Sequence, residues 1–107
     1  MKRLEQKKML TIITSRAFEK MIIEAVRGRG VGGYTVVNAS GAGASGIQSG
    51  MLDSDSNILI YVVLSEERMV SVFDKLEDMM LRGYRIKVIA SDISILPRTK
   101  ASAASTN

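Results

Sequence analysis

The 107-residue chain has no histidine, no cysteine and no tryptophan, and only one proline. Without cysteine it has no disulfide framework and no thiolate metal site. Without histidine, the commonest general base and the commonest metal ligand are both missing, so the sequence argues against an enzyme. Aromatic residues reach only 5%, too few for a surface that stacks the bases of single-stranded nucleic acid. The apolar run MLTIIT is too short for a signal-peptide core, and no segment is long enough to span a bilayer. The expectation is a cytoplasmic protein with no nucleic-acid partner and no membrane insertion.

What is present suits one small domain, expected over residues 1–96, with a disordered tail at 97–107. Hydrophobic residues make up 46%, enough for an ordinary core. Fifteen Lys and Arg against eleven Asp and Glu give a formal charge of +4. That mild excess suits an anionic ligand, although proteins that bind nothing charged share it. The basic runs MKRLEQKK and RTK read as solvated ends.

Hydrophobic spacing divides the chain into six elements. Met9–Thr14 reads as a buried strand. Ser15 can cap a helix in which Phe18, Met21, Ile22, Ala25 and Val26 repeat at helical spacing, with Gly28 as its left-handed ending. YTVVNA alternates as a strand, and NILIYVVL is a β-branched central strand. Ser65 then caps a second helix, with Glu66 and Glu67 in its first turn and Gly83 at its end. Met69, Val72, Phe73, Leu76, Met79 and Met80 form its apolar stripe, which reads as core packing. YRIKVIA is the last strand, with Tyr84, Ile86 and Val88 opposed to Arg85 and Lys87. The order βαββαβ predicts an α+β, ferredoxin-like sandwich: a four-stranded antiparallel sheet with two helices on one face. Its other face has no cover of its own, so an oligomer is expected.

Between the second and third strands, SGAGASGIQSGMLDSDS is almost wholly Gly, Ala, Ser and Asp, a composition that gives a mobile loop. GAGASG at residues 41–46 fits G-x-G-x-x-G, the spacing of a dinucleotide-binding turn. That turn must open a crossover helix, so that phosphate meets the helix N-terminus. Here only about ten residues without apolar periodicity separate the glycines from the next strand, too few for such a crossover. Glu66, about twenty residues on, could pose as the ribose acid but lies at a helix start. No Gly-Lys-Ser/Thr follows, which also removes the P-loop. Two readings stay open: backbone amides forming a nest for anionic oxygens, or a plain loop between strands. Asp53 and Asp55 read as solvated turn acids, without a base or metal partner near them in sequence.

The segment GVGGYTVVNASGAGASG, residues 30–46, resembles the P-II signal-transduction proteins around their second strand and the base of their T-loop. Gly30, Gly33, Tyr34, Thr35, Val36, Gly41 and Gly43 occupy the places of that pattern. Tyr after the second glycine and a short Gly/Ser-rich loop bring it nearest the P-II-like branch associated with bicarbonate transport and carboxysomes. The resemblance implies a homotrimer with an adenine nucleotide in each inter-subunit cleft. It sets Gly33, Tyr34 and Thr35 against the base or ribose, and Gly41, Ala42, Gly43, Ala44 and Ser45 around the other side. Ile13 and Val63 would add apolar contact to adenine. Arg82, Gly83 and Tyr84 fall where the family's B-loop meets phosphate, with Arg85 beside them; the two arginines could equally be solvated.

The chain departs from the pattern at three points. Ala44 stands where the family typically carries a phosphate-binding arginine, here or one or two residues on. The modified T-loop tyrosine has no counterpart between Ser40 and Ser56, and LRGYR replaces the B-loop Gly-Asp-Gly-Lys. Charge-assisted contacts are worth about 1.5–3 kcal/mol each, so their loss disfavours ATP relative to AMP or ADP. The resemblance thus implies a regulator without a cofactor: ADP or AMP, with or without bicarbonate, acting on a target such as a bicarbonate transporter or a carboxysome component. The competing expectation is a trimeric protein-interaction module without a small ligand.

Overall fold

The computed structural model describes residues 3–41 and 57–98. The expectations for residues 42–56, which include Ala42, Gly43, Ala44, Ser45, Asp53 and Asp55, and for the tail from Thr99 onward lie outside the described residues.

The element order is β1 (Glu5–Ser15), a 3-10 turn (Arg16–Phe18), α1 (Glu19–Arg27), β2 (Thr35–Ala39), β3 (Asn57–Leu64), α2 (Glu66–Leu81) and β4 (Ile86–Ile95). The strands form one antiparallel sheet in the order β2-β3-β1-β4, so β3 and β1 are central. This is the expected ferredoxin-like sandwich.

Side-chain alternation divides the sheet into two unlike faces. Leu10, Ile12 and Thr14 of β1 and Ile58, Ile60, Val62 and Leu64 of β3 lie buried on one face. Ile22 and Val26 of α1 and Val72, Leu76 and Met79 of α2 complete the core there, as the helical spacing predicts. Burying each such aliphatic side chain contributes about 1.5–3 kcal/mol. The opposite face carries Met9, Thr11 and Ile13, then Leu59, Tyr61 and Val63, with Val37 and Ile89 alongside. Among the described residues no helix covers that face, and Val37, Val63 and Ile89 are more than 40% exposed.

Ser65 caps α2 as expected, whereas Ser15 caps the 3-10 turn that leads into α1, whose own N-cap is Phe18. Ser15 Oγ accepts from the Ala17 N–H at 3.1 Å, and Ser65 Oγ accepts from the Arg68 N–H at 3.2 Å. Each satisfies one of the amides that a helix start leaves without an intrahelical partner. Gly83 turns left-handed just beyond α2, at φ 100°.

The structure corrects the sequence reading at three points. Gly28 is right-handed, at φ −64°; the left-handed residue is Gly30, at φ 88°, because the turn continues through hydrogen bonds from Arg29 and Gly30 to Val26 and Arg27. The fourth strand starts at Ile86 and runs on to Ile95, rather than spanning Tyr84–Ala90. It extends because β1 itself begins at Glu5 and offers partners out to Ile95. Glu5–Lys8 therefore belongs to the sheet and is no loose basic end. On this extension Lys8 pairs with Asp92, and Ser94 Oγ donates to Gln6 Oε1 at 3.2 Å.

Candidate functional site

Antiparallel pairing gathers distant segments at one end of the sheet. Ser15 stands opposite Asn57, Asn57 opposite Ala39, and Thr14 opposite Ile86. The end of β1, the Ser40–Gly41 exit from β2 and the Arg82–Arg85 turn before β4 therefore converge. Thr14, 97% buried, donates from Oγ1 to the Arg85 carbonyl at 2.9 Å and fixes that turn against β1.

The turn's amides are largely committed. Arg82 N–H bonds the Asp78 and Met79 carbonyls, Gly83 N–H bonds Met80, and Tyr84 N–H bonds Met79, all between 2.9 and 3.2 Å. They close α2 and offer no free nest to an anion. The Tyr84 ring turns to the helix layer, where it meets Phe18 edge-on at 5.1 Å between centroids. Together with Met21, Glu24, Ala25, Lys75, Asp78, Met79 and Arg82 it lines an open hollow of about 340 Å³ between α1 and α2.

The cations at this end divide by partner. Arg82 Nε lies 3.2 Å from Asp78 Oδ2, and Arg16 lies 3.6 Å from Glu19. Arg85 and Lys87 have no ion pair among the described residues. Lys87, the register partner of Ile13, stands on the uncovered sheet face, and Arg85 is exposed just before the strand begins. Lys87 was not among the expected site residues, although the alternation of YRIKVIA already put it on the side of Arg85. Among the described residues no cluster of acidic, histidine or cysteine side chains could hold a metal ion.

The remaining expected residues stand elsewhere. Thr35 pairs with Tyr61, and Val63 with Met9, toward the opposite end of the sheet. Val63 is four residues along β3 from Leu59, the partner of Ile13, or about 13 Å away at ordinary strand rise. Tyr34 lies over α1, lining a hollow with Arg16, Ala17, Glu19, Lys20, Ile23 and Glu24. One protomer thus holds two half-sets: Ile13, Gly41 and Arg82–Arg85 at one end, and Gly33, Thr35 and Val63 toward the other.

Gly33 and Gly41, one from each half-set, share a property with Gly32 that Gly83 lacks. A Cβ added at Gly32, Gly33 or Gly41 would meet none of the described residues within 4 Å, and none of the three has positive φ. Nothing among the described residues requires glycine there, and the open side of each would admit a close approach from outside the protomer.

The family model for "Nitrogen regulatory protein P-II" matches residues 7–100. Among solved structures, the chain is similar to a PII-like signaling protein from Thermus thermophilus. That pair is 28% identical with a TM-score of 0.74, covering 90% of this chain and 94% of the other. It is also similar to CPII from Thiomonas intermedia K12 bound to ADP and bicarbonate, at 26% identity and TM-score 0.78, over 91% of this chain and 95% of that one. A further CPII structure, with ADP, AMP and bicarbonate, matches at 26% identity and TM-score 0.73, covering 87% and 98%. No curated protein matches the chain. With 94 consecutive positions matched and the βαββαβ sandwich in place, the chain belongs to the nitrogen regulatory protein P-II family.

Proposed function

We propose that this chain is a regulatory protein that binds an adenine nucleotide, AMP or ADP ahead of ATP, with bicarbonate beside the phosphates, in clefts between the subunits of a homotrimer. The observation that carries the reading is its likeness to CPII, which is described with ADP and bicarbonate bound. The geometry supports an inter-subunit site in two ways. The half-sets stand apart on one protomer, an arrangement that suits a cleft taking one from each of two copies. The uncovered apolar sheet face gives those copies a surface on which to meet.

In this cleft Gly33, Tyr34 and Thr35 hold the base or ribose from one subunit, with Ile13 and Val63 as apolar walls. Gly41–Ser45 wraps the other side, and Arg85 meets phosphate with Arg82 behind it. The preference for fewer phosphates follows from Ala44, which supplies no guanidinium, and from the committed amides of Arg82, Gly83 and Tyr84. Nucleotide contact with the base of the 40–56 segment alters its conformation, and the altered segment engages or releases a target protein in inorganic-carbon metabolism. The role is binding and signalling, without turnover of the nucleotide.

Calorimetric titration with AMP, ADP, ATP and cyclic AMP, with and without bicarbonate, tests this reading alongside a solution mass measurement. Saturable heat from AMP or ADP on a species of three times the protomer mass is expected. A protein whose heat, mass and melting temperature ignore every nucleotide is an interaction module instead.

A further inference from the structure

Arg68 sits in the first turn of α2, where the helix dipole disfavours a cation. No carboxylate pairs with it among the described residues. Its guanidinium reaches instead to the connection between α1 and β2, where Nη1 donates to the Arg29 carbonyl at 3.3 Å. It lies directly over Gly30, on the side where any other residue carries its Cβ. A Cβ there would stand 1.9 Å from Nη1 and 2.8 Å from Cζ. Gly30 is thus glycine for two reasons, its φ of 88° and the arginine lying on it. One residue later, Val31 is buried in the core. The connection is fastened by Arg68 at Arg29–Gly30 and by the core at Val31, immediately before the exposed Gly32–Gly33–Tyr34 run.

We infer that Arg68 is a positioning residue: its hold on Arg29 and Gly30 sets where Gly33, Tyr34 and Thr35 stand for a nucleotide. The inference rests on the nucleotide reading above. The guanidinium suits the role because it is planar, always charged, and able to lie flat on a glycine while donating to a carbonyl. Lysine at this position could reach the carbonyl with a single donor but could not cover the turn.

The test compares the full chain with Arg68→Ala and Arg68→Lys by three measurements: amide hydrogen exchange over residues 30–35, calorimetric affinity for ADP, and the urea unfolding midpoint. In Arg68→Ala, exchange at Gly32–Thr35 rises severalfold, and ADP affinity falls about three- to tenfold as preorganisation is lost. The unfolding midpoint stays in place, and Arg68→Lys recovers part of both losses. Unchanged exchange or unchanged affinity in Arg68→Ala overturns the inference, as does an affinity loss that merely tracks a loss of global stability. If the parent protein takes no ADP, the nucleotide reading falls separately. The exchange data then decide the anchoring alone: faster exchange upholds it and unchanged exchange ends it.

Discussion

Thr14 and Arg85 are 71 residues apart in sequence and joined by one hydrogen bond of 2.9 Å, from a buried hydroxyl to a backbone carbonyl. That bond ties the last turn before β4 to the end of β1. Thr14→Val keeps the shape and removes the donor, leaving the Arg85 carbonyl without this partner. Equilibrium urea unfolding should show a loss of about 1 kcal/mol, and exchange of the Arg82–Arg85 amides should quicken.

Arg85 and Arg82 differ in their existing commitments, and nucleotide affinity should show it. Arg82 already pairs with Asp78, whereas Arg85 has no ion pair among the described residues. Arg85→Ala should weaken ADP binding about tenfold, in the range of one exposed charge-assisted contact. Arg82→Ala should cost distinctly less. Calorimetry on the two variants separates them, and equal losses would contradict the assignment.

Gly33→Ala should leave the fold untouched and impair the ligand. The added methyl meets none of the described residues within 4 Å, and the backbone there is not left-handed. Urea unfolding should therefore show no loss, or a gain of about 0.4–1 kcal/mol from a stiffer unfolded chain. ADP affinity should fall at least tenfold if a nucleotide approaches this backbone. Gly83→Ala is the contrasting control. Its φ of 100° makes the substitution destabilising by more than about 1 kcal/mol.

Leu59→Lys addresses the uncovered sheet face. Leu59 stands on β3 between Ile13 and Val37, away from the helices. An ammonium there remains solvated in a single protomer but is buried unpaired when copies meet. Light scattering should report the protomer mass for this variant and three times that mass for the parent, with the helical circular dichroism of both alike.

Lys8 offers a pH readout. Its hydrogen bond to Asp92 is the main cause that raises its ammonium above the ordinary 10.5, followed by the charges of Asp92 and Glu66, while partial burial acts the other way. A pKa raised on folding adds stability that is fully present below 10.5 and lost as pH climbs through the higher folded value. Asp92→Asn should therefore be slightly less stable than the parent at about pH 8, and the gap should close in the alkaline range above 10.5. Urea midpoints across that range provide the check.

Elements built on hydrophobic period were legible in the sequence, because the core imposes that period. The stripe Val72–Leu76–Met79 and the alternation of NILIYVVL each found the face they describe. The serine caps were legible for the same local reason. The full length of β4 was harder to see, since Asp92–Ile95 is paired to a β1 extension whose own composition reads as solvated charge. Assigning left-handedness to Gly28 failed because the choice between Gly28 and Gly30 depends on how many turn hydrogen bonds follow the helix. Arg68 carried no local signal, since its partner lies 39 residues away. The grouping of Ile13, Gly41 and Arg85 required the strand order, which no single segment encodes.

Three segments far apart in sequence end up as neighbours at one rim of the sheet: the turn after β1, the exit from β2 and the lead-in to β4. Among the described residues the twelve buried core residues lie in the strands, the helices and Val31, with Phe18 and Tyr84 of these segments packed against them. The exposed side chains of this rim, Arg85 among them, therefore stand outside the buried core, while Phe18 and Tyr84 beside them lean on it. Under the proposed function, exchanging those exposed residues between relatives while keeping Phe18 and Tyr84 should change what is bound and leave the scaffold folded, which makes this rim a practical place for building sensors of other small anions.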